Sequence, residues 1–192
     1  MGPLSWRKLH GVLLDLDEQT AAPSTGSRGA EVFANTPGPW PEEDPNALVA
    51  EVQGYLAEED LRRVALSGAP ELIRDWHRHG VPIGLVTAGN RSWAEYVVEE
   101  ILGVRECFAV LVAREDVPEG KPDRAPFAVG CRALHVSPRE AAAVADSVAG
   151  VTAAVAAGVG LVVGVATSVD GARLREVGAH RLAASFDELA AR

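Results

Sequence analysis

The sequence predicts an α/β fold: a Rossmann-like three-layer α/β/α sandwich with a mainly parallel sheet and a small, partly loop-like helical insert. Two observations predict it. Short apolar runs alternate with helical patterns along most of the chain, which is the rhythm of βαβ units. The composition is 47% hydrophobic and 23% charged, with aromatics at only 5%, and it is dominated by Ala, Val, Leu and Gly. That mix suits helices layered on a parallel sheet better than an all-β core. A chain of 192 residues is long enough for one domain, or one domain with a small appendage.

The elements follow in order. "GVLLDL" (11–16) reads as the first strand and runs out into the acidic stretch that carries Asp15 and Asp17. Residues 21–46 are rich in Pro, Gly, Ser and Thr and read as a long loop. A helix is expected from about 47 to 64, with Leu48, Val52, Tyr55 and Leu56 as its apolar stripe. "PELIRDWHRHG" places Leu72, Ile73 and Trp76 on one helix face and ends at Gly80, a residue suited to a left-handed helix terminus. "PIGLVT" (82–87) is the second strand. "SWAEYVVEEILG" is again helical, with Trp93, Val97 and Ile101 four apart before Gly103. "FAVLVA" (108–113), "AAAVAD" (141–146) and "GLVVGVA" (160–166) complete the expected strands, and "GVTAAVAAG" and "DGARLREVGA" two further helices.

Charge and cysteines narrow the function. A net charge of −9 argues against nucleic acid, whose binding relies on clustered Lys and Arg. An anionic small molecule remains compatible, because a few local cations or a metal outweigh the net field. No apolar run reaches the roughly 20 residues needed to span a bilayer. The opening "MGPLSWRKLHG" has no signal-peptide apolar segment, so a cytoplasmic protein without a membrane partner is expected. Cys107 and Cys131 form no CxxC pattern and read as reduced, buried thiols.

In an open parallel sheet, ligands gather at the carboxyl ends of the strands. Polar candidates end the expected strands: Asp15 with Asp17, Thr87, and Asp146 with Ser147. Lys121, in "PEGKPDRAPF", precedes the helix that leads into the fourth strand. These residue types together fit phosphoryl transfer through a covalent carboxylate. Asp15 can attack phosphorus, and Asp17, two residues on along a strand, can serve as general acid and base. A carboxylate approaching a phosphate dianion needs a cation, and Mg²⁺ takes hard oxygen ligands such as Asp15 and Asp146. Lys121 and the Thr87 hydroxyl would stabilise the phosphoryl oxygens. Arg28, with Arg62 and Arg63, is a weaker candidate to meet an anionic substrate from the cap. His77 and His79, two apart on a helix, point in different directions and are not read as a metal pair.

"DLDEQT", "LVTAGN", "GKPDRAPF" and "ADSVAGVTAAVAAGV" resemble, in order, the four motifs of haloacid-dehalogenase-like (HAD) phosphohydrolases. The resemblance is greatest to the branch with β-phosphoglucomutase and small sugar-phosphate phosphatases. It implies Asp15 as nucleophile, Asp17 as acid/base, and Thr87 and Lys121 on the phosphoryl group, with Ala88 beside it. It also implies Mg²⁺ held by Asp15, Asp146 and the backbone carbonyl of Asp17. The implied division is an α/β core of residues 1–20 and 67–192 and a reduced cap of residues 21–66. Glu18 and Gln19 depart from the family pattern, as do Arg124 and Ala145.

The function these motifs imply is a Mg-dependent phosphatase acting on a small phosphorylated metabolite, with a sugar phosphate as the candidate. Two alternatives stand beside it. Glu18, Gln19 and the small cap are compatible with a catalytically impaired accessory protein. The same chemistry would also serve a phosphomutase, although a small cap favours hydrolysis. A homo-oligomer is compatible with such a cap, which leaves apolar surface for a partner to cover.

Overall fold

The computed structural model describes residues 9–16, 47–48, 68–167 and 169–190. Among them six strands form one fully parallel sheet: β1 (Gly11–Asp15), β2 (Ile83–Val86), β3 (Val110–Val112), β4 (Ala141–Ala145), β5 (Leu161–Val165) and β6 (Arg181–Ala183). Their spatial order is β3-β2-β1-β4-β5-β6. The chain therefore builds outward from β1 to β3, then returns to the other side of β1 and builds outward again. The reversal lies between β1 and β4, where a crevice opens at the carboxyl edge of such sheets.

The strands form because both sheet faces are covered. Every residue of β1, β2 and β4 is buried, and these strands are apolar almost throughout, as a doubly covered parallel sheet requires. Alternate residues serve opposite layers. Val12, Leu14, Ile83 and Leu85 join one apolar cluster, whereas Leu13, Val86, Ala143 and Ala145 join the other. Asp15 continues the second series.

Helix α1 (Ala69–Arg78) carries the expected stripe: Leu72, Ile73 and Trp76 are buried against the first layer. Truncating a fully buried Trp costs about 3–5 kcal/mol, so Trp76 is a principal anchor of that layer. The helix ends at His79, and Gly80 follows with φ 71°, the left-handed conformation expected of it. Helix α2 (Arg91–Tyr96) is capped by the Asn90 side chain, which accepts the Trp93 N–H at 2.8 Å. It widens into a π-helical turn over Val97–Ile101, which breaks the spacing of four expected there. Val97 and Val98 are buried in consequence, while Trp93 and Ile101 are only half-buried.

The other layer contains α3 (Ala125–Ala133), α4 (Val148–Ala156) and α5 (Gly171–Glu176). Strand β6 and a short final helix, α6 (Phe186–Ala190), were not expected from the sequence. Helix α6 packs against α1 through buried Phe186 and Leu189. Cys107 and Cys131 are free and buried, and burial pushes the Cys131 thiol up to about 11.

Ala47 and Leu48 are helical, where the insert helix is expected to begin. The rest of the expected cap, including Arg28, lies outside the described residues, as do Asp17, Glu18 and Gln19. Among the described residues no helix is long and apolar enough to cross a membrane.

Candidate active site

Asp15 is the last residue of β1 and is fully buried. The pairing register sets it level with Val86 of β2. Thr87 is thus one step beyond that level on one neighbouring strand. On the other side Leu14 pairs with Val144, so Asp146 is likewise one step beyond Asp15. Adjacent strands are about 4.8 Å apart, and the three polar residues crowd the carboxyl edge around the switch point. Thr87 and Asp146 are also buried.

Lys121 reaches the same place from the loop between β3 and α3. Its Nζ donates to Asp15 Oδ1 in an ion pair whose two side chains are both 0% exposed. The loop is shaped locally. Its Lys121–Pro122 peptide is cis, and the Asp123 carboxylate accepts the Ala125 N–H at 2.7 Å, opening α3.

Helix α4 closes the site from the second layer. Ser147 caps it by accepting the Gly150 N–H at 2.9 Å. Gly150 has no side chain for a reason visible here. A Cβ at that position would overlap Asp15 Oδ2 and would sit 2.9 Å from Asp15 Cγ and 3.0 Å from Ser147 Oγ. The bare backbone therefore lets the first turn of α4 press directly on the carboxylate, with the positive end of the helix dipole towards it.

The Thr87–Asn90 turn is built from hydrogen bonds to its own side chains. Thr87 N–H donates to Val112 O at 2.9 Å, and Thr87 Oγ1 accepts the Gly89 N–H at 3.1 Å. With its oxygen engaged as acceptor, the Thr87 hydroxyl keeps its proton for another partner. Ala88 stands between them, half-buried in the same turn.

Asp15, Thr87, Lys121 and Asp146 are accordingly brought together, and Ala88 adjoins them. Sequence reasoning placed Gly150 within the fourth motif, "ADSVAGVTAAVAAGV", but gave it no role of its own. Among the described residues no group of three or more His, Cys, Asp or Glu is assembled that could hold a metal. Two buried carboxylates, Asp15 and Asp146, constitute the acidic donors there.

The class this defines is an α/β protein with a candidate active site at the mouth of its central strand. The chain belongs to the haloacid dehalogenase-like hydrolases, whose family model it matches over residues 7–158. It is 34% identical over 176 residues to validoxylamine A 7′-phosphate phosphatase of Streptomyces hygroscopicus subsp. limoneus, covering 90% of this chain and 81% of that one. It is 29% identical over 173 residues to hexitol phosphatase A of Escherichia coli K12, covering 90% and 77% respectively. In fold it resembles the β-phosphoglucomutase of Clostridium difficile, with a TM-score of 0.72 at 20% identity over 94% of this chain and 93% of that one. The sequence relatives represent the enzyme class expected from the motifs, the phosphoric monoester hydrolases.

Proposed function

We propose that this protein is a Mg²⁺-dependent phosphatase that hydrolyses a small phosphate ester through an aspartyl-phosphate on Asp15. The observation that carries the reading is the buried Asp15–Lys121 pair at the switch point of the sheet. Burying two charges is seldom a net gain in stability, so packing alone does not account for it. A carboxylate that must attack an anion, next to an ammonium that can receive that anion, does account for it.

In the first step an Asp15 oxygen attacks phosphorus and the bond from phosphorus to the ester oxygen breaks. Asp17 gives its proton to the departing alkoxide, and the alcohol leaves. In the second step water attacks the aspartyl-phosphate at phosphorus and gives a proton to Asp17. The acyl-phosphate P–O bond breaks, inorganic phosphate departs and Asp15 is restored. Lys121 and the Thr87 hydroxyl bind the non-bridging oxygens, and the Ala88 turn lies against them. Arg28 is the candidate for a further contact with the anionic substrate.

The hard carboxylate oxygens of Asp15 and Asp146 are of the type Mg²⁺ prefers, with the Asp17 carbonyl as the further ligand. Bound there, the ion would offset the repulsion between carboxylate and phosphate. Relatives named as phosphatases of validoxylamine A 7′-phosphate and of hexitols support a small phosphate ester, a sugar phosphate first, as substrate. They also support hydrolysis over mutase chemistry.

The test is phosphate release across a panel of phosphorylated metabolites, with and without Mg²⁺, using Asp15→Asn as control. Turnover by wild type that needs Mg²⁺ and disappears in Asp15→Asn is expected. Activity retained by Asp15→Asn removes the nucleophile assignment. A well-folded wild type that releases no phosphate from any compound leaves the impaired accessory domain as the reading.

A further inference from the structure

We propose that Arg91 is a positioning residue of this site: with Asp116 it brackets the Thr87–Gly89 turn to the loop that delivers Lys121. The inference rests on the phosphatase reading for its kinetic consequence but not for its structural one.

Arg91 is the first residue of α2, directly after the Thr87–Asn90 turn. Its Nη1 donates to Leu111 O in β3 at 2.9 Å, and its Nη2 is paired with the Asp116 carboxylate. The same Asp116 oxygen accepts the Ala113 N–H at 2.8 Å. The Arg91 N–H donates to Glu115 Oε2 at 3.1 Å, and Arg114 N–H donates back to Gly89 O at 2.9 Å. The turn after β2 is thus stitched to the turn after β3 from both sides. That second turn runs on through buried Val117 to Lys121.

The ion pair is partly exposed, at 39% for the Arg91 side chain and 33% for Asp116, and by itself would contribute little. Its geometry gives it a different importance. The guanidinium spans a carbonyl on β3 and a carboxylate in the following loop, a fork that lysine cannot reproduce. Thr87 and Lys121 reach the phosphoryl group on separate loops, so their spacing is set by whatever joins those loops. Arg91 touches no reacting atom and acts only through that spacing.

The test compares wild type with Arg91→Ala, Arg91→Lys and Asp116→Asn. Backbone amide exchange reads the bracket directly. In Arg91→Ala, exchange at Thr87 and Gly89 should quicken about tenfold or more, while Leu13 in the core of β1 keeps wild-type protection. On an aryl phosphate kcat should fall about tenfold or more with KM little changed, since alignment rather than binding is lost. Arg91→Lys, which keeps the charge but loses the fork, should fall between the two, and Asp116→Asn should resemble Arg91→Ala. Unchanged exchange at Gly89 overturns the bracket. Quickened exchange with unchanged kcat overturns its role in positioning. Loss of Leu13 protection together with activity reduces Arg91 to a general stabiliser. If wild type hydrolyses no phosphate ester, the phosphatase reading falls, and the exchange data still decide whether Arg91 and Asp116 hold the two loops together.

Discussion

Replacing Gly150 with alanine would separate two effects that ordinarily coincide. In an exposed helix interior, Gly→Ala gains about 0.5–1 kcal/mol by restricting the unfolded chain and favouring the helix. Here the new Cβ would stand 2.9 Å from Asp15 Cγ, against 3.4 Å or more for ordinary contact, and would overlap Oδ2 outright. For Oδ2 to clear the new Cβ the carboxylate must therefore retreat by more than an ångström. It has little room to do so, since Asp15 is fully buried and tied to Lys121. Overpacking of this kind costs about 1–3 kcal/mol, which outweighs the propensity gain and leaves a net loss of roughly 1–2 kcal/mol. For a domain of this size that is a fall in Tm of about 2–8 °C. If Asp15 is the nucleophile proposed above, its displacement on the ångström scale costs about 10²-fold in rate, so kcat on an aryl phosphate should drop by about that factor. Gly130→Ala is the matched control. Its Cβ would also be crowded, at 2.7 Å, but by the flexible end of Leu13 rather than by a site residue. Thermal melts and initial rates on both variants give the answer. If Gly150→Ala gained stability and kept its kcat, α4 would not press on Asp15 and the packing argument would fail.

Two further outcomes are expected. Lys121→Met strands a buried carboxylate and should cost about 3–5 kcal/mol, of which a second change, Asp15→Asn, should restore a large part; additive losses in denaturant unfolding would show the pair to be uncoupled. The Cys131 thiol, held at about 11 by burial against an ordinary 9.0, should resist alkylation at pH 8 in the native protein and react only on unfolding. Because the folded state keeps this proton longer than the unfolded one, the thiol is neutral to stability below pH 9 and lowers it as pH rises from about 9 to about 11. Rapid labelling of native protein counted by mass spectrometry, or a stability that rises across that window, would contradict the assignment.

The fold was legible wherever the pattern was long and unbroken. Leu72, Ile73 and Trp76 declared α1, and the runs ending at Asp15, Thr87 and Asp146 declared the strands that meet at the switch point. Strand β6 was not legible because "RLA" is short and half-buried, so it lacks the apolar run that marks a central strand. The π-helical turn after Tyr96 was hidden for a different reason: a spacing of four is compatible with a regular helix, and tertiary packing chose otherwise. Within the site, residue types at strand ends were readable because the sheet topology sends those ends to one place. The Arg91–Asp116 bracket was not, since nothing in a sequence tells which of several arginines meets which of several acids across two loops. Asp17 and Arg28 fall outside the described residues, so Asp17 rests on the motif alone and Arg28 on its charge within the expected cap.

The pair between Asp15 and Lys121 closes a span of 106 residues, and the strand bearing Asp15 has β4 as its other neighbour. During synthesis the first strand therefore emerges long before anything that can complete it. A chain stopped short of Lys121 lacks the countercharge, and one stopped short of Asp146 lacks the second acid as well as the strand that seals β1. A carboxylate with no partner cannot be buried cheaply, so the first strand has little reason to settle early. On the proposed reading, a product that ends before Asp146 is expected to release no phosphate. The cluster is completed late, only once Asp146 and helix α4 have followed the fourth strand.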